Sequence, residues 1–188
     1  MSDKNTALIV IDVQESFRHM PYWSEEGLES YLHKQQALID GAKAADVPVV
    51  QIFHTRANSP FDPASGYVRP LDGLVVKPDA VFHKERHSAL VGTGLGVWLR
   101  QNNIGRLIIS GIRTEQCCET TTRDASDQGY DIDFVSEATH TFAMTHANGT
   151  VFSPEDIRTR TELVLAGRFA RIVTVDEILA GFGVKAAA

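Results

Sequence analysis

Cysteine is almost missing from this chain: 188 residues carry two, and the two are neighbours, Cys117 and Cys118. Adjacent Cα atoms lie about 3.8 Å apart and disulfides prefer more, so the pair offers neither a bridge nor a metal-ligand spacing. Two free thiols are expected. Runs of lysine or arginine are also lacking, and the formal net charge is −6, so the overall field repels nucleic acid and anionic membrane surfaces. Long apolar runs are absent as well. The first, Ala7 to Ile11, is too short for a signal peptide or a membrane span, which makes the cytoplasm the expected location. No repeat, linker or biased segment interrupts the chain, and one domain over residues 1–188 is expected. What remains, 43% apolar and 22% charged residues, is the composition of an ordinary globular protein with a sizeable core.

The stretch that organises the rest is residues 107–125. Leu107 to Ile109 reads as a buried strand, Ser110 and Gly111 break it, and from about Cys117 the pattern turns helical through Cys118, Thr121 and Ala125. A cysteine placed where a strand hands over to a helix meets unpaired amides and the positive end of the helix dipole, which favour a thiolate and any oxyanion formed beside it. The plain alternative is that both cysteines are small core residues.

Around this stretch, apolar runs predict strands at Ala7–Val13, Val47–Phe53 and Ile132–Val135. They predict short extended pieces at Val75–Lys77 and Ala80–Phe82 and a last strand at Ala170–Val173. Helical spacing appears at Leu28–Ala45, Leu95–Gln101 and from Cys117 to about Asp127. Another helix runs from Ser153-Pro-Glu-Asp, with its serine cap and N1 proline, to about Ala166, and a final one spans Val175–Ala180. Phe17 to Ser24 is an aromatic-rich loop, and His54 to Val76 is a long irregular segment of the kind that is either functional or disordered. Gly92 to Gly96 lacks the strand and spacing of a dinucleotide loop. Strands alternating with helices indicate an α/β fold of three layers, α/β/α, with a mostly parallel sheet.

Asp12, Lys84 and Cys117 each follow a predicted buried strand. In a parallel sheet, side chains at the carboxyl ends converge on one crevice. The chemistry of such a trio is coherent. A carboxylate accepts the thiol proton, a lysine keeps the carboxylate charged, and the protonated acid then serves a departing amine. Ordinary strand ends and helix caps remain the other reading of the same positions.

Three segments, in this order, resemble the isochorismatase-like cysteine hydrolases: Leu8-Ile-Val-Ile-Asp12-Val-Gln14-Glu-Ser-Phe17, Lys84-Glu-Arg-His-Ser88-Ala-Leu, and Gly111-Ile-Arg-Thr114-Glu-Gln-Cys117-Cys118-Glu-Thr-Thr. The likeness runs over about residues 6–182. It implies a six-stranded parallel sheet, Rossmann-like, with helices on both faces, often assembled as dimers or tetramers. It implies Asp12 as general base and acid, Lys84 as electrostatic partner and Cys117 as nucleophile. It further implies an oxyanion hole from the backbone amides of Arg113 and Cys117, and a non-proline cis peptide at Ile112–Arg113. Cys118 stands where the family usually has valine and is expected in the core.

The same resemblance narrows the activity. Members that cleave the vinyl ether of isochorismate tend to lack the cysteine, so Cys117 favours amide, ureide or carbamoyl substrates. Nicotinamidases hold a metal with an Asp-x-His pair and a further histidine after the second strand. Here that segment reads Ile52-Phe-His54-Thr-Arg56-Ala-Asn58, so neither nicotinamidase activity nor a metal is expected. The expectation is a cofactor-independent hydrolase of C–N bonds in a small molecule. Phe17, His54, Arg56 and Gln116 are substrate-binding candidates, Arg56 for a substrate carboxylate. His140, Thr141 and His146 follow a strand at the same sheet edge. The rival readings are a vinyl-ether hydrolase and a non-catalytic thiol redox or binding module.

Overall fold

A computed structural model describes residues 5–183. Along the chain run β1 (Thr6–Ile11), α1 (Leu28–Ala44), β2 (Val49–His54), β3 (Ala80–Lys84), α2 (Leu95–Gln101) and β4 (Arg106–Ile112). Then follow α3 (Glu119–Asp127), β5 (Asp131–His140), β6 (Met144–Thr145), β7 (Val151–Phe152), α4 (Pro154–Leu165), β8 (Arg171–Ile172) and α5 (Val175–Gly181). Six strands form one sheet in the order β3-β2-β1-β4-β5-β8, every neighbouring pair parallel. β1 and β4 are buried along nearly their whole length, as a sheet covered on both faces requires, and this explains why they read as continuous apolar runs.

Side chains alternate across β1 and divide the core in two. Leu8 and Val10 pack with Leu38, Ile39 and Ala42 of α1 and with Ile178 and Leu179 of α5. Ala7, Ile9 and Ile11 pack on the other face with Leu95 and Leu99 of α2 and with Cys118 and Ala125. The result is the α/β/α architecture expected from the sequence. Among the described residues no helix is long and apolar enough to cross a membrane.

Several boundaries differ from the expectation. Val75–Lys77 is not a strand. Its backbone is held by a side chain of α1, with Val75 N–H donating to Gln36 Oε1 at 2.8 Å and Gln36 Nε2 donating to Val75 O at 3.1 Å. The aromatic loop opens with a 3-10 turn, Glu15–His19. The helix expected from Cys117 starts earlier, with a π-turn over Thr114–Cys118 leading into α3. The two-residue strands β6 and β7 pair antiparallel and are too short to leave a periodicity. The serine-proline start of α4 is present as read: Ser153 Oγ accepts from Asp156 N–H, and the Asp156 carboxylate accepts from Ser153 N–H.

The long segment after β2 is tied down rather than loose. Its backbone bonds back onto residues 13–16, with Leu71 N–H donating to Val13 O, Glu15 N–H to Arg69 O and Ser16 N–H to Tyr67 O.

Candidate active site

The strand order turns at β1, because connections run outward to β2 and β3 on one side and to β4, β5 and β8 on the other. At such a switch point the chain ends diverge and leave a crevice beyond the carboxyl ends of the two central strands. Asp12 follows β1 directly, in a left-handed conformation with φ of 52°. Cys117 follows β4 across the π-turn. Lys84 ends β3 two strands away, and its long side chain reaches back past the end of β2.

These three side chains meet. Lys84 Nζ lies 2.7 Å from Asp12 Oδ2, with both side chains fully buried, and donates to Cys117 Sγ at 3.2 Å. Its other hydrogen bonds go to Arg86 O at 3.1 Å and to His54 Nδ1 at 3.2 Å. An ammonium has three hydrogens and no lone pair, so Lys84 can only donate, and Nδ1 of His54 is the unprotonated ring nitrogen. Of the four groups around the ammonium the Asp12 carboxylate is the nearest, at 2.7 Å, and the two form a buried ion pair. Cys117 Sγ and the Asp12 carboxylate lie within 4.8 Å of each other.

Burial sets the electrostatics. It raises the Asp12 carboxyl above its ordinary value, with the charge of Lys84 pulling the other way. Burial alone would lower Lys84, but Asp12 and Cys117 outweigh it and the net shift is upward. The Cys117 thiol is pushed well up, first by burial and then by the Asp12 carboxylate, against the pull of Lys84. The resting pair is a thiol beside a carboxylate that burial has made more basic.

The backbone beside Cys117 is built for a close approach. The Ile112–Arg113 peptide is cis. Gly111 faces Ile11 across the sheet at φ of 131°, and a Cβ there would come within 2.0 Å of Ile11 O. Arg113 O accepts from Gln116 N–H and from Cys118 N–H, both at 3.2 Å. The second bond spans five residues, the π-type spacing. A helix of that kind leaves one more N-terminal amide without an intrahelical carbonyl than an α-helix does, and the Cys117 N–H falls at that position.

Of the substrate-binding candidates, His54 is brought to the trio. Its backbone is clamped by Gln14, whose Oε1 accepts from His54 N–H at 2.7 Å while Nε2 donates to His54 O at 3.1 Å. Burial and the charge of Lys84 push the His54 imidazole down to about 4. Phe17 is buried behind it, edge-on to Phe61 at 5.0 Å, and Phe61 is in turn edge-on to His54 at 5.6 Å. Gln116 is half-buried next to Cys117, and Arg56 is exposed on the loop after β2. His140 is directed elsewhere, stacked on Tyr31 at 5.1 Å and edge-on to Phe142. Thr141 donates to Glu115, and His146 sits at the β6–β7 turn, where its carbonyl accepts from Gly149 N–H. Cys118 is fully buried in the helix-packing core.

Sequence reasoning passed over two residues. Gln14 acts through the backbone of His54. His87 lies with Nδ1 3.8 Å from Cys117 Sγ. Its spacing of three residues from Lys84 was the available signal.

Asp12, His54 and Cys117 bring one donor atom each within 4.8 Å of one another, which is a metal-like cluster on distance alone. The Lys84 ammonium lies within 3.2 Å of all three. It already supplies the positive charge there and would repel a divalent cation, so the cluster does not fit a metal.

A family model of the isochorismatase domain matches residues 6–170. The chain is 30% identical to Nicotinamidase 3 of Arabidopsis thaliana over 94% of this chain and 88% of that one. It is 28% identical to YrdC, an uncharacterized isochorismatase family protein of Bacillus subtilis (strain 168), over 96% and 97% of the two chains. Among solved structures, a cysteine hydrolase from Pseudomonas syringae pv. phaseolicola 1448A has the same fold, with a TM-score of 0.87 at 21% identity over 97% of this chain and 94% of that one. With its six-stranded parallel sheet and the crevice at its centre, the chain belongs to the isochorismatase family of hydrolases.

Proposed function

We propose that this protein is a cysteine hydrolase that cleaves a C–N bond of a small amide, ureide or carbamoyl compound. The observation that carries the reading is the Lys84 ammonium in contact with both the Asp12 carboxylate and Cys117 Sγ. As Sγ attacks the carbonyl carbon, the thiol proton passes to Asp12 and the C=O electron pair moves onto oxygen, facing the amides of Arg113 and Cys117. Collapse breaks the C–N bond, and the proton on Asp12 goes to the leaving nitrogen. A thioester on Cys117 remains, and water must hydrolyse it. Throughout, negative charge moves from carboxylate to sulfur to oxygen, and the fixed ammonium stabilises it at each place. The likeness to a nicotinamidase supports the C–N bond over the vinyl ether.

The test is ammonia release from a panel of nicotinamide, ureides and N-carbamoyl amino acids. On the responding compound, Cys117→Ala and Asp12→Asn are each expected to lower kcat by about 10⁴-fold or more, because concerted groups lose nearly everything singly. Cys118→Val is expected to stay within a few-fold of the parent, and EDTA to change nothing. Full turnover by Cys117→Ala would establish direct attack by water, the chemistry of the vinyl-ether branch, and would end the acyl-enzyme reading.

A further inference from the structure

Once the leaving nitrogen has taken its proton, Asp12 is a carboxylate again but a wholly buried one, and the surroundings of Cys117 supply a second base that the Asp12–Lys84–Cys117 trio does not include. Sγ is flanked on its inner side by Asp12 and Lys84, both with side chains fully buried, and the Cys117 residue itself is only 7% exposed. On its outer side stands His87, an exposed residue with Nδ1 3.8 Å from Sγ. Its ring runs nearly parallel to that of His54 at 6.5 Å. Of the polar side chains in contact with the sulfur, His87 is the one that also meets solvent.

His54 does not compete for this task. Its Nδ1 is occupied by the Lys84 ammonium, and burial leaves it a weak base. Asp12 has no exposed surface, and His54 is only partly exposed, whereas His87 is exposed.

We propose that His87 is the general base for deacylation, which divides the two half-reactions between two bases: Asp12 for acylation and His87 for release. The proposal rests on the cysteine-hydrolase reading. In the acyl-enzyme the acyl carbon is one bond from Sγ, and a water hydrogen-bonded to Nδ1 comes within about 3–3.5 Å of it, the range of a near-attack geometry. His87 takes one proton of that water as the oxygen adds to the acyl carbon. The C–S bond then breaks, and its electron pair stays on sulfur. His87 returns the proton to Sγ across the gap seen in the resting site. The products are the carboxylic acid and the free thiol, with no co-reactant beyond water.

The experiment uses p-nitrophenyl acetate, which acylates a reactive cysteine whatever the natural substrate is. In the parent chain, nitrophenol release is followed together with intact mass. In His87→Gln the initial burst is expected at the parental rate, with the subsequent turnover slowed about 10²-fold, the lower end for a lost general base. An acetyl group should accumulate on Cys117. On the amide found by the panel, kcat and KM should fall together with kcat/KM unchanged. Added imidazole should restore turnover to His87→Ala but not accelerate the parent. Parental turnover after the burst in His87→Gln, or a burst and turnover slowed equally, overturns the role of His87 alone. Absence of acetylation at Cys117 in the parent chain, or an unchanged burst in Cys117→Ala, overturns the cysteine-hydrolase reading and the proposal with it.

Discussion

Gly111 shows how little room separates β1 from β4 beside the candidate site. Its φ of 131° is open to glycine and costly for other residues. The Cβ of any replacement would sit 2.0 Å from Ile11 O, a backbone atom that cannot swing aside. Gly111→Ala is expected to cost on the order of 4 kcal/mol or more, at the extreme end of single substitutions. Urea denaturation followed by tryptophan fluorescence measures it, and a loss under 1 kcal/mol would mean that the strands can part without penalty. At this scale the sequence was most legible at the ends of buried runs: Asp12 and Lys84 are charges there and Cys117 a thiol where strand gives way to helix, and the three motif segments in order set them apart from ordinary strand ends. His87 was not legible in the same way. It lies in a loop, where a polar residue needs no explanation, and only the fold brings it beside the sulfur of a distant residue. Gln14 was hidden for another reason, since its amide serves the backbone of His54 rather than another side chain, and backbone partners leave no mark on residue type.

At the scale of elements, two side-chain-to-backbone clamps do different work. The capping box of α4 joins Ser153 and Asp156 at the surface and holds no group of the Asp12–Lys84–Cys117 trio. Ser153→Ala should cost about 1 kcal/mol and leave turnover unchanged. The Gln14 clamp closes the end of β2 instead, and its loss strands buried backbone groups as well as removing two bonds. Gln14→Ala is expected to cost about 2–3 kcal/mol and to lower kcat, because His54, whose Nδ1 lies 3.2 Å from Lys84 Nζ, loses its anchor. Thermal melts and turnover of the two variants side by side separate a site-positioning clamp from a merely stabilising one. Equal activity in both would remove the positioning role of Gln14. The elements themselves were predicted wherever a pattern ran for several residues, as in β1, β4, α1 and α4. They were missed where tertiary partners decide. Val75–Lys77 has strand-forming residues, yet Gln36 takes its backbone groups before a strand can. The π-turn at Thr114–Cys118 is set by how β4 delivers the chain to α3, not by local preference.

For the molecule as a whole, two imidazoles make stability depend on pH. Burial pushes His54 and His140 from an ordinary 6.5 down to about 4, so both are neutral in the folded chain at pH 6 while the unfolded chain already takes up protons. Their contribution is complete above pH 6.5 and is lost as pH falls from there through about 4. His140 is 4% exposed among Tyr31, Trp23 and Phe142, and its share is on the order of 3 kcal/mol at 1.36 kcal/mol per unit. His140→Phe keeps the aromatic packing and should flatten this acid limb. Urea midpoints at pH 7 and pH 5 check it, and an equal fall in both proteins would assign the limb to other groups. A different property follows from the position of β3 at the rim of the sheet. The proposed nucleophile and its base follow the two innermost strands, whereas the ammonium that links them is carried in from the edge. Peripheral strands are the first to open in native fluctuations. On the proposed mechanism the cation is therefore the member of the trio that opening of one border would withdraw first, with the centre of the sheet still intact.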